Sequence, residues 1–213
     1  MSGDNFTHTP IPETHINGIP VNMTSDFLRE WVRPRVKPKR FRHIEGVVAV
    51  AKKLAKRAHC DEHLAEIAAW VHDCCKHIKD DELVKMARGY GLVLTDLEAH
   101  HGHLLHGPVA AEVAMHELDI TNEDVLNAIA EHTLGAVPMS TLSKVIYLAD
   151  ALEESRPQDF RQPIWDALDF EGTCDLDNAL VVACELGIKH LIAAGKPVHP
   201  RTEEVRDYYA NLQ

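Results

Sequence analysis

Six histidine and aspartate residues lie in or next to apolar stretches of helical periodicity, and they constrain the fold more than any other feature. They are His43, His72, Asp73, His106, His132 and Asp150. Imidazole and carboxylate groups are unfavourable to bury in a helical interior unless something pairs with them, and a divalent metal ion is the usual partner. The pattern therefore predicts a metal site inside a helical domain.

Apolar residues recur at helical spacing along most of the chain. The predicted helices cover residues 26–32, 41–58, 61–77, 80–89, 104–118, 139–153, 175–194 and 201–212, with one more that begins at a Thr121 cap. Strand signals are nearly absent, because the one alternating candidate, residues 92–94, is too short. The sequence therefore predicts an all-α fold, a single compact helical bundle.

The first forty residues differ in composition from the rest. Residues 1–23 are rich in proline and glycine, which predicts a flexible or loosely packed extension, and residues 41–213 are predicted to form the domain with its C-terminal helices. Between Arg29 and Arg42 lie seven basic residues and one acid. Two interpretations of this basic run stay open: a solvated surface, or an attractor for a phosphorylated ligand, because the run leads into His43.

The overall charge and the cysteines limit the classes of function. The formal net charge of −11 argues against binding to nucleic acid polymers or to an anionic membrane. No apolar stretch is long enough to span a bilayer, and the first residues lack the apolar core of a signal peptide. Five cysteines without a metal-type CxxC pair indicate free thiols, so we expect a cytoplasmic protein.

The six candidate ligands come from five predicted helices, which suits a site in the middle of a bundle. Asp73 follows His72 directly, and its two carboxylate oxygens can bridge two metal ions. Three tryptophans are candidates for stacking on a nucleobase, although the position of Trp70, two residues before His72, favours a core role. They are Trp31, Trp70 and Trp165.

Five segments around these residues resemble a known family. They read HDCCKH from His72, LLHGPVAA from Leu104, EHTLG from Glu131, LSKVIYLADALEESR from Leu142 and VHPRTEEVRDYY from Val198. In this order and spacing they resemble the HD-domain metal-dependent phosphohydrolases, and within them the YqeK subgroup of symmetrical diadenosine tetraphosphate hydrolases. The resemblance extends from about residue 41 to near the C-terminus.

The resemblance implies a centre with two divalent metal ions. One ion would be held by His43, His72, Asp73 and Asp150, and the second by His106, His132 and the shared Asp73. The resemblance favours iron. A donor set of nitrogen and oxygen atoms is also compatible with manganese, cobalt, zinc or magnesium.

The activity that the resemblance implies is hydrolysis of diadenosine tetraphosphate to two ADP by a metal-activated water. Asp73 and Lys76 would be catalytic, and Lys76 and Arg156 would bind phosphate. Lys144 is a further candidate for the polyphosphate, with a surface charge as the alternative, and Thr133 is a candidate for the substrate pocket. Another HD-type nucleotide phosphohydrolase and a low-turnover nucleotide-sensing module remain alternatives. A homodimer is compatible with the sequence.

Overall fold

The structure, a computed structural model, describes residues 14–169 and 174–212 of the 213-residue chain. These residues form eleven α-helices, two short 3-10 helices and a two-stranded ribbon, which confirms the predicted all-α class. The α-helices are α1 (Ser25–Val32), α2 (Pro38–Arg57), α3 (Glu62–Val71), α4 (Asp80–Gly89), α5 (Asp96–His100), α6 (His106–Leu118), α7 (Glu123–Glu131), α8 (Thr141–Leu152), α9 (Gln158–Leu168), α10 (Leu176–Ala193) and α11 (Pro200–Ala210). The 3-10 helices are Arg33–Arg35 and Gly102–Leu105, and the strands are β1 (His15–Ile16) and β2 (Ile19–Pro20).

Helix α2 lies at the centre of the bundle, because it packs against both α3 and α8. Its residues Ile44, Val47, Ala51 and Leu54 are fully buried, and their spacing of three to four positions places them on one face of the helix. Helix α3 also contacts α6, α7 and α8. The helices that carry or adjoin the candidate ligands therefore surround one interior region.

The C-terminal helices support α8. Helix α10 packs on α8, α9 and α11, and a small apolar cluster between them includes Cys184, Val205 and Tyr209. The hydroxyl of Tyr209 accepts a 2.7 Å hydrogen bond from the backbone N–H of Met139, just before α8 begins. Among the described residues, no helix combines the length and the apolar character needed to cross a membrane.

Helix α3 ends at Val71, so the predicted continuation to residue 77 is wrong. The ring Nδ1 of His72 lies 2.6 Å from the carbonyl of Ala69, the acceptor that the N–H of Asp73 would need in a continuing helix. Beyond this point the chain makes tighter turns, as in the 3.0 Å bond from Lys76 N to Asp73 O. His72 and Asp73 are thus presented from a turn and not from an α-helix.

Two predicted starts of helices have different outcomes. Asp61 caps α3 as predicted, because its side chain accepts from the N–H groups of His63 and Leu64. The predicted cap of α7 at Thr121 is wrong, since Asn122 fills that role by accepting from Val125 N. The N–H of Thr121 instead bonds to the carbonyl of Gly18 at 2.8 Å, and this contact was not visible in the local sequence. The predicted helix over residues 104–118 is a 3-10 turn followed by α6.

The described part of the N-terminal extension packs on the bundle. Strands β1 and β2 pair antiparallel, and Ile19 and Met23 are buried. The ribbon binds the connection between α6 and α7 through Gly18, whose carbonyl accepts from Thr121 N and Asn122 N. Residues 14–23 therefore have defined contacts with the bundle, and residues 1–13 lie outside the described residues. The domain boundary at residue 40 stays a prediction.

Gly102 packs so closely on α4 that a side chain cannot be accommodated without movement. A Cβ at this position would lie 2.1 Å from the carbonyl oxygen of Asp80. We expect Gly102→Ala to lower the free energy of unfolding by about 1–3 kcal/mol, because the backbone must shift. Urea unfolding followed by circular dichroism measures the change.

The matched control is Gly187→Ala in the interior of α10, where nothing lies within 4 Å of the added Cβ. This substitution should raise the free energy of unfolding by about 0.5–1 kcal/mol, because alanine favours the helix over glycine. Equal effects of the two substitutions would contradict the close packing at Gly102.

Candidate metal centre and adjoining cleft

The four candidate histidines share one hydrogen-bonding arrangement. In each ring Nδ1 faces an oxygen that can only accept, so Nδ1 donates and Nε2 keeps its lone pair whenever the ring is neutral. The acceptors are Glu153 Oε1 for His43 (2.7 Å), Ala69 O for His72 (2.6 Å), His103 O for His106 (2.5 Å) and Ile129 O for His132 (2.7 Å). This is the arrangement that orients histidines as metal ligands through Nε2.

The carboxylate of Asp73 lies between the four Nε2 atoms. Its Oδ1 is 3.3 Å from Nε2 of His106 and 3.7 Å from Nε2 of His132. Its Oδ2 is 3.6 Å from Nε2 of His43 and 3.6 Å from Nε2 of His72. The two oxygens of one buried carboxylate therefore face two different pairs of histidines.

Asp150 completes the cluster on the side of His43. Its Oδ1 lies 2.9 Å from Nε2 of His43 and 2.6 Å from a terminal nitrogen of Arg156. The Nε of Arg156 also donates to the backbone carbonyl of Asp150 at 3.0 Å. Arg156 therefore fixes the carboxylate and places a positive charge at the edge of the cluster.

These residues fit a divalent metal centre. In each of two groups of three side chains, one potential ligand atom per residue lies within 4.8 Å of the others: His43 with His72 and Asp150, and His72 with Asp73 and His132. The Nε2 atom of His72 is buried without a hydrogen-bond partner among the described residues. Converging lone pairs with few donors between them are unfavourable in the interior of a protein, and a bound cation satisfies them.

The protonation states also suit a cation. Burial lowers the pKa of His72 and of His106 to about 4, so both rings are neutral near pH 7. Burial acts in the opposite direction on Asp73, yet the surrounding histidines hold its pKa well below the ordinary value. Burial also acts against ionisation of Asp150, yet its close contact with His43 and the charge of Arg156 hold the pKa of this carboxyl below the ordinary value. Ionised carboxylates and neutral imidazoles are the forms that bind divalent metals.

A cleft of about 1100 Å³ opens beside His43. Its lining includes six basic side chains, from Lys37, Lys39, Arg40, Arg42, Lys76 and Arg156, and two acidic ones, from Glu153 and Glu154. Such a local excess of positive charge in a chain of net charge −11 favours an anionic ligand. Four of the six belong to the basic run, so its position supports the second interpretation, an attractor for a phosphorylated ligand.

Three of the four predicted substrate contacts lie at the cluster. The Nζ of Lys76 is 3.1 Å from His106 Nε2, and the hydroxyl of Thr133 is also 3.1 Å from that atom. Arg156 pairs with Asp150 as described. Lys144 is not brought to this place: its ammonium group pairs with Asp177 and lies 4.7 Å from the centroid of the Tyr209 ring.

Two residues that contact the candidate ligands were not singled out from the sequence. Arg40 donates to Asp73 Oδ2 at 2.7 Å, and buried Glu153 accepts from His43. Each lies three positions from a predicted ligand: Arg40 precedes His43 in α2, and Glu153 follows Asp150 as the C-cap residue of α8. Spacing of three positions places side chains on one helix face, and this signal could have found both.

The comparisons with known proteins agree with this geometry. The model of the HD domain family matches residues 40–155. The chain belongs to the HD domain family, in its YqeK-type subgroup. This membership confirms the resemblance seen in the sequence.

Two relatives are named symmetrical bis(5'-nucleosyl)-tetraphosphatase. The one from Halalkalibacterium halodurans is 33% identical over 173 residues, which is 81% of this chain and 90% of the relative. The one from Staphylococcus aureus is 30% identical over 187 residues, which is 88% of this chain and 95% of the relative.

A solved structure has the same fold. It is described as a predicted HD superfamily hydrolase involved in NAD metabolism, from Clostridium acetobutylicum. The sequences are 33% identical, the TM-score is 0.83, and the match covers 89% of this chain and 98% of the other. The all-α HD fold is therefore established for this chain.

Glu153 orients His43, and its loss should weaken the metal centre. We expect Glu153→Ala to reduce metal affinity by about 10–100-fold, because the ring of His43 is no longer held with Nε2 facing Asp73. Glu153→Gln should have a smaller effect, since its amide oxygen can still accept from Nδ1. Competition with a chelator, followed by elemental analysis, measures the affinity.

The matched control is Glu154→Ala, which removes the exposed neighbouring carboxylate. Metal affinity should stay at the wild-type value in this variant. If Glu153→Ala also retained wild-type affinity, His43 would not depend on Glu153 for its orientation.

Proposed function

We propose that this protein hydrolyses diadenosine tetraphosphate to two molecules of ADP. The observation that carries the proposal is the position of Asp73 between two pairs of histidines, one of which includes His43 in the lining of a cleft with six basic side chains. The names of relatives that are 30–33% identical over most of the chain support the same substrate.

The six ligands divide into two sets in this proposal. His43, His72, Asp73 and Asp150 would hold one divalent ion, and His106 and His132 would hold a second together with Asp73. We propose iron as the native metal, and the nitrogen and oxygen donors are also suited to manganese, cobalt or zinc. Bound there, such ions lower the pKa of a coordinated water to about 7 and offset charge on phosphate oxygens.

The side chains of the cleft would position the polyphosphate. Lys76 and Arg156 lie next to the cluster, and Arg40 lies on the side of His43, so the three cations surround the place where negative charge develops in the transition state. Burial lowers the pKa of Lys76, which reflects its partly desolvated position. Thr133 presents a hydroxyl beside His106 and His132 that can donate to a phosphate oxygen.

We further propose that the protein acts in the cytoplasm, where its cysteines would stay reduced. Among the described residues all five cysteines are free, and Cys74, Cys75 and Cys184 are buried. The substrate would be a dinucleoside polyphosphate and not a nucleic acid polymer, because the chain has a formal net charge of −11.

Product analysis tests the cleavage. Chromatography of a reaction with diadenosine tetraphosphate should show ADP as the nucleotide product, because symmetrical attack splits the polyphosphate in the middle. AMP together with ATP would contradict this regiochemistry. Tight binding without turnover would favour a nucleotide-sensing module, and turnover of other nucleotides alone would favour a different HD-type phosphohydrolase.

Asp73→Ala should abolish hydrolysis and remove most of the bound metal. The reason is that Asp73 faces both histidine pairs, and no other described carboxylate does so. Helicity should stay near normal, because Asp73 lies in a turn. Elemental analysis, circular dichroism and the activity assay measure the three properties, and the first also tests the assignment of iron.

Asp81→Ala, which removes an exposed carboxylate on α4, is the control and should keep wild-type activity and metal content. Full activity of Asp73→Ala would overturn the proposed centre.

A further inference from the structure

Two adjacent cysteines follow the candidate ligand Asp73 directly. Cys74 is 2% exposed and Cys75 is 3% exposed, and their Sγ atoms lie 3.7 Å apart. Neighbouring side chains of an α-helix diverge by about 100°, but α3 ends at Val71 and both cysteines lie in the turns that follow. In the described part of the chain no other two cysteine sulfurs are in contact. The end of the helix therefore brings two thiols together beside the centre.

A disulfide between these two cysteines can be formed, but it is strained. An S–S bond is about 2.05 Å long, so the two sulfurs would have to approach by roughly 1.7 Å. The Cα atoms of adjacent residues are about 3.8 Å apart, whereas a disulfide ordinarily joins Cα atoms that are about 4.4–6.8 Å apart. The peptide between Cys74 and Cys75 must therefore distort to close the ring. Strained disulfides are readily reduced, and labile or regulatory disulfides are of this kind.

The distortion acts on the residue that both histidine pairs share. The N–H of Lys76 donates to the carbonyl of Asp73 at 3.0 Å, and this bond spans the two cysteines. On the other side, the N–H of Cys74 donates to the carbonyl of Val71 at 2.9 Å. Closure of the ring changes the peptide enclosed by these bonds, and Asp73 is attached to it directly. A displacement of about 1 Å at a catalytic group can cost roughly 100-fold in rate.

We propose that Cys74 and Cys75 form an oxidative modification site, where hydrogen peroxide produces a reversible disulfide that displaces Asp73 and weakens the metal centre. The inference rests on the metal centre of the proposed function and does not depend on the nucleotide substrate. Disulfides in the cytosol, where they occur, are mostly transient and catalytic or redox-sensing.

The reaction needs one molecule of peroxide for each pair of thiols. One sulfur attacks the peroxide and breaks its O–O bond, which gives a sulfenic acid and water. The second sulfur attacks the sulfenic sulfur, so that the S–S bond forms as the S–O bond breaks and a second water leaves. Two electrons pass from the thiols to the peroxide, and the two thiol hydrogens end in the two waters.

Burial makes this reaction slow and selective for a small oxidant. The contact with Cys75 and burial raise the pKa of the Cys74 thiol well above its ordinary value, and the thiolate is the reactive form. The reduced pair is therefore stable, and only an oxidant of about the size of water reaches it.

The test uses the zinc-loaded protein, because Zn²⁺ has no redox chemistry of its own. After treatment with hydrogen peroxide, mass spectrometry should show that the peptide containing residues 74–75 has lost two hydrogen atoms and no longer reacts with iodoacetamide. Zinc affinity, measured by competition with a chromogenic chelator, should fall by about 10–100-fold, because a shared ligand is displaced. Dithiothreitol should reverse both changes.

Cys75→Ala keeps one thiol and cannot form the bond, so peroxide should leave its zinc affinity unchanged. The matched control is Cys60→Ala, which removes a half-buried thiol elsewhere and should respond to peroxide as the wild type does. Two free thiols at residues 74–75 in the peroxide-treated wild type would overturn the proposal. So would a disulfide with unchanged zinc affinity, or an equal loss of zinc in Cys75→Ala.

The failure of the proposed function would be seen separately, because no nucleotide enters this test. A protein that forms the disulfide and loses zinc affinity, but does not hydrolyse diadenosine tetraphosphate, retains the modification site without the proposed activity. A protein that hydrolyses the dinucleotide but keeps both thiols after peroxide treatment retains the activity without the modification site. Absence of zinc binding before oxidation would refute the centre itself, and the inference with it.

Discussion

The carboxylate of Asp73 is 2% exposed, and four imidazole Nε2 atoms lie within 3.7 Å of one or the other of its oxygens. Most of the structure serves to hold this group of atoms together. An ionised carboxylate in a protein interior is unfavourable unless it is paired, and Arg40 is the cation that contacts it within the described residues. Because the imidazole Nε2 atoms converge on the same region, divalent cations are the partners that suit both groups.

A second layer of contacts makes this arrangement rigid. Each ring is held through Nδ1, and two of the acceptors, Ala69 and Ile129, are carbonyls in the last turn of α3 and of α7. The ligand and the end of its helix are therefore determined together, since the ring uses a carbonyl that a longer helix would need. Glu153, at the end of α8, holds the ring of His43 by accepting from its Nδ1, and Gly46 leaves room for the Glu153 side chain.

The cleft connects this centre to a substrate class. Its positive charges come from two places: the end of the basic run leading into α2, and single residues beside the cluster, Lys76 and Arg156. Positive charge next to the metal centre suits a substrate whose phosphate groups react there. The family membership of the chain is consistent with this substrate class.

The sequence by itself determined the all-α fold and singled out the six residues that meet in the interior, because helical periodicity and the HD-type segments are local patterns. The tertiary structure alone decided which oxygen of Asp73 faces which histidines. It also decided that Lys144 pairs with Asp177 and that Gly18 takes the N–H of Thr121. The last two contacts join residues 33 and 103 positions apart, and no local pattern specifies which distant groups meet once the helices pack.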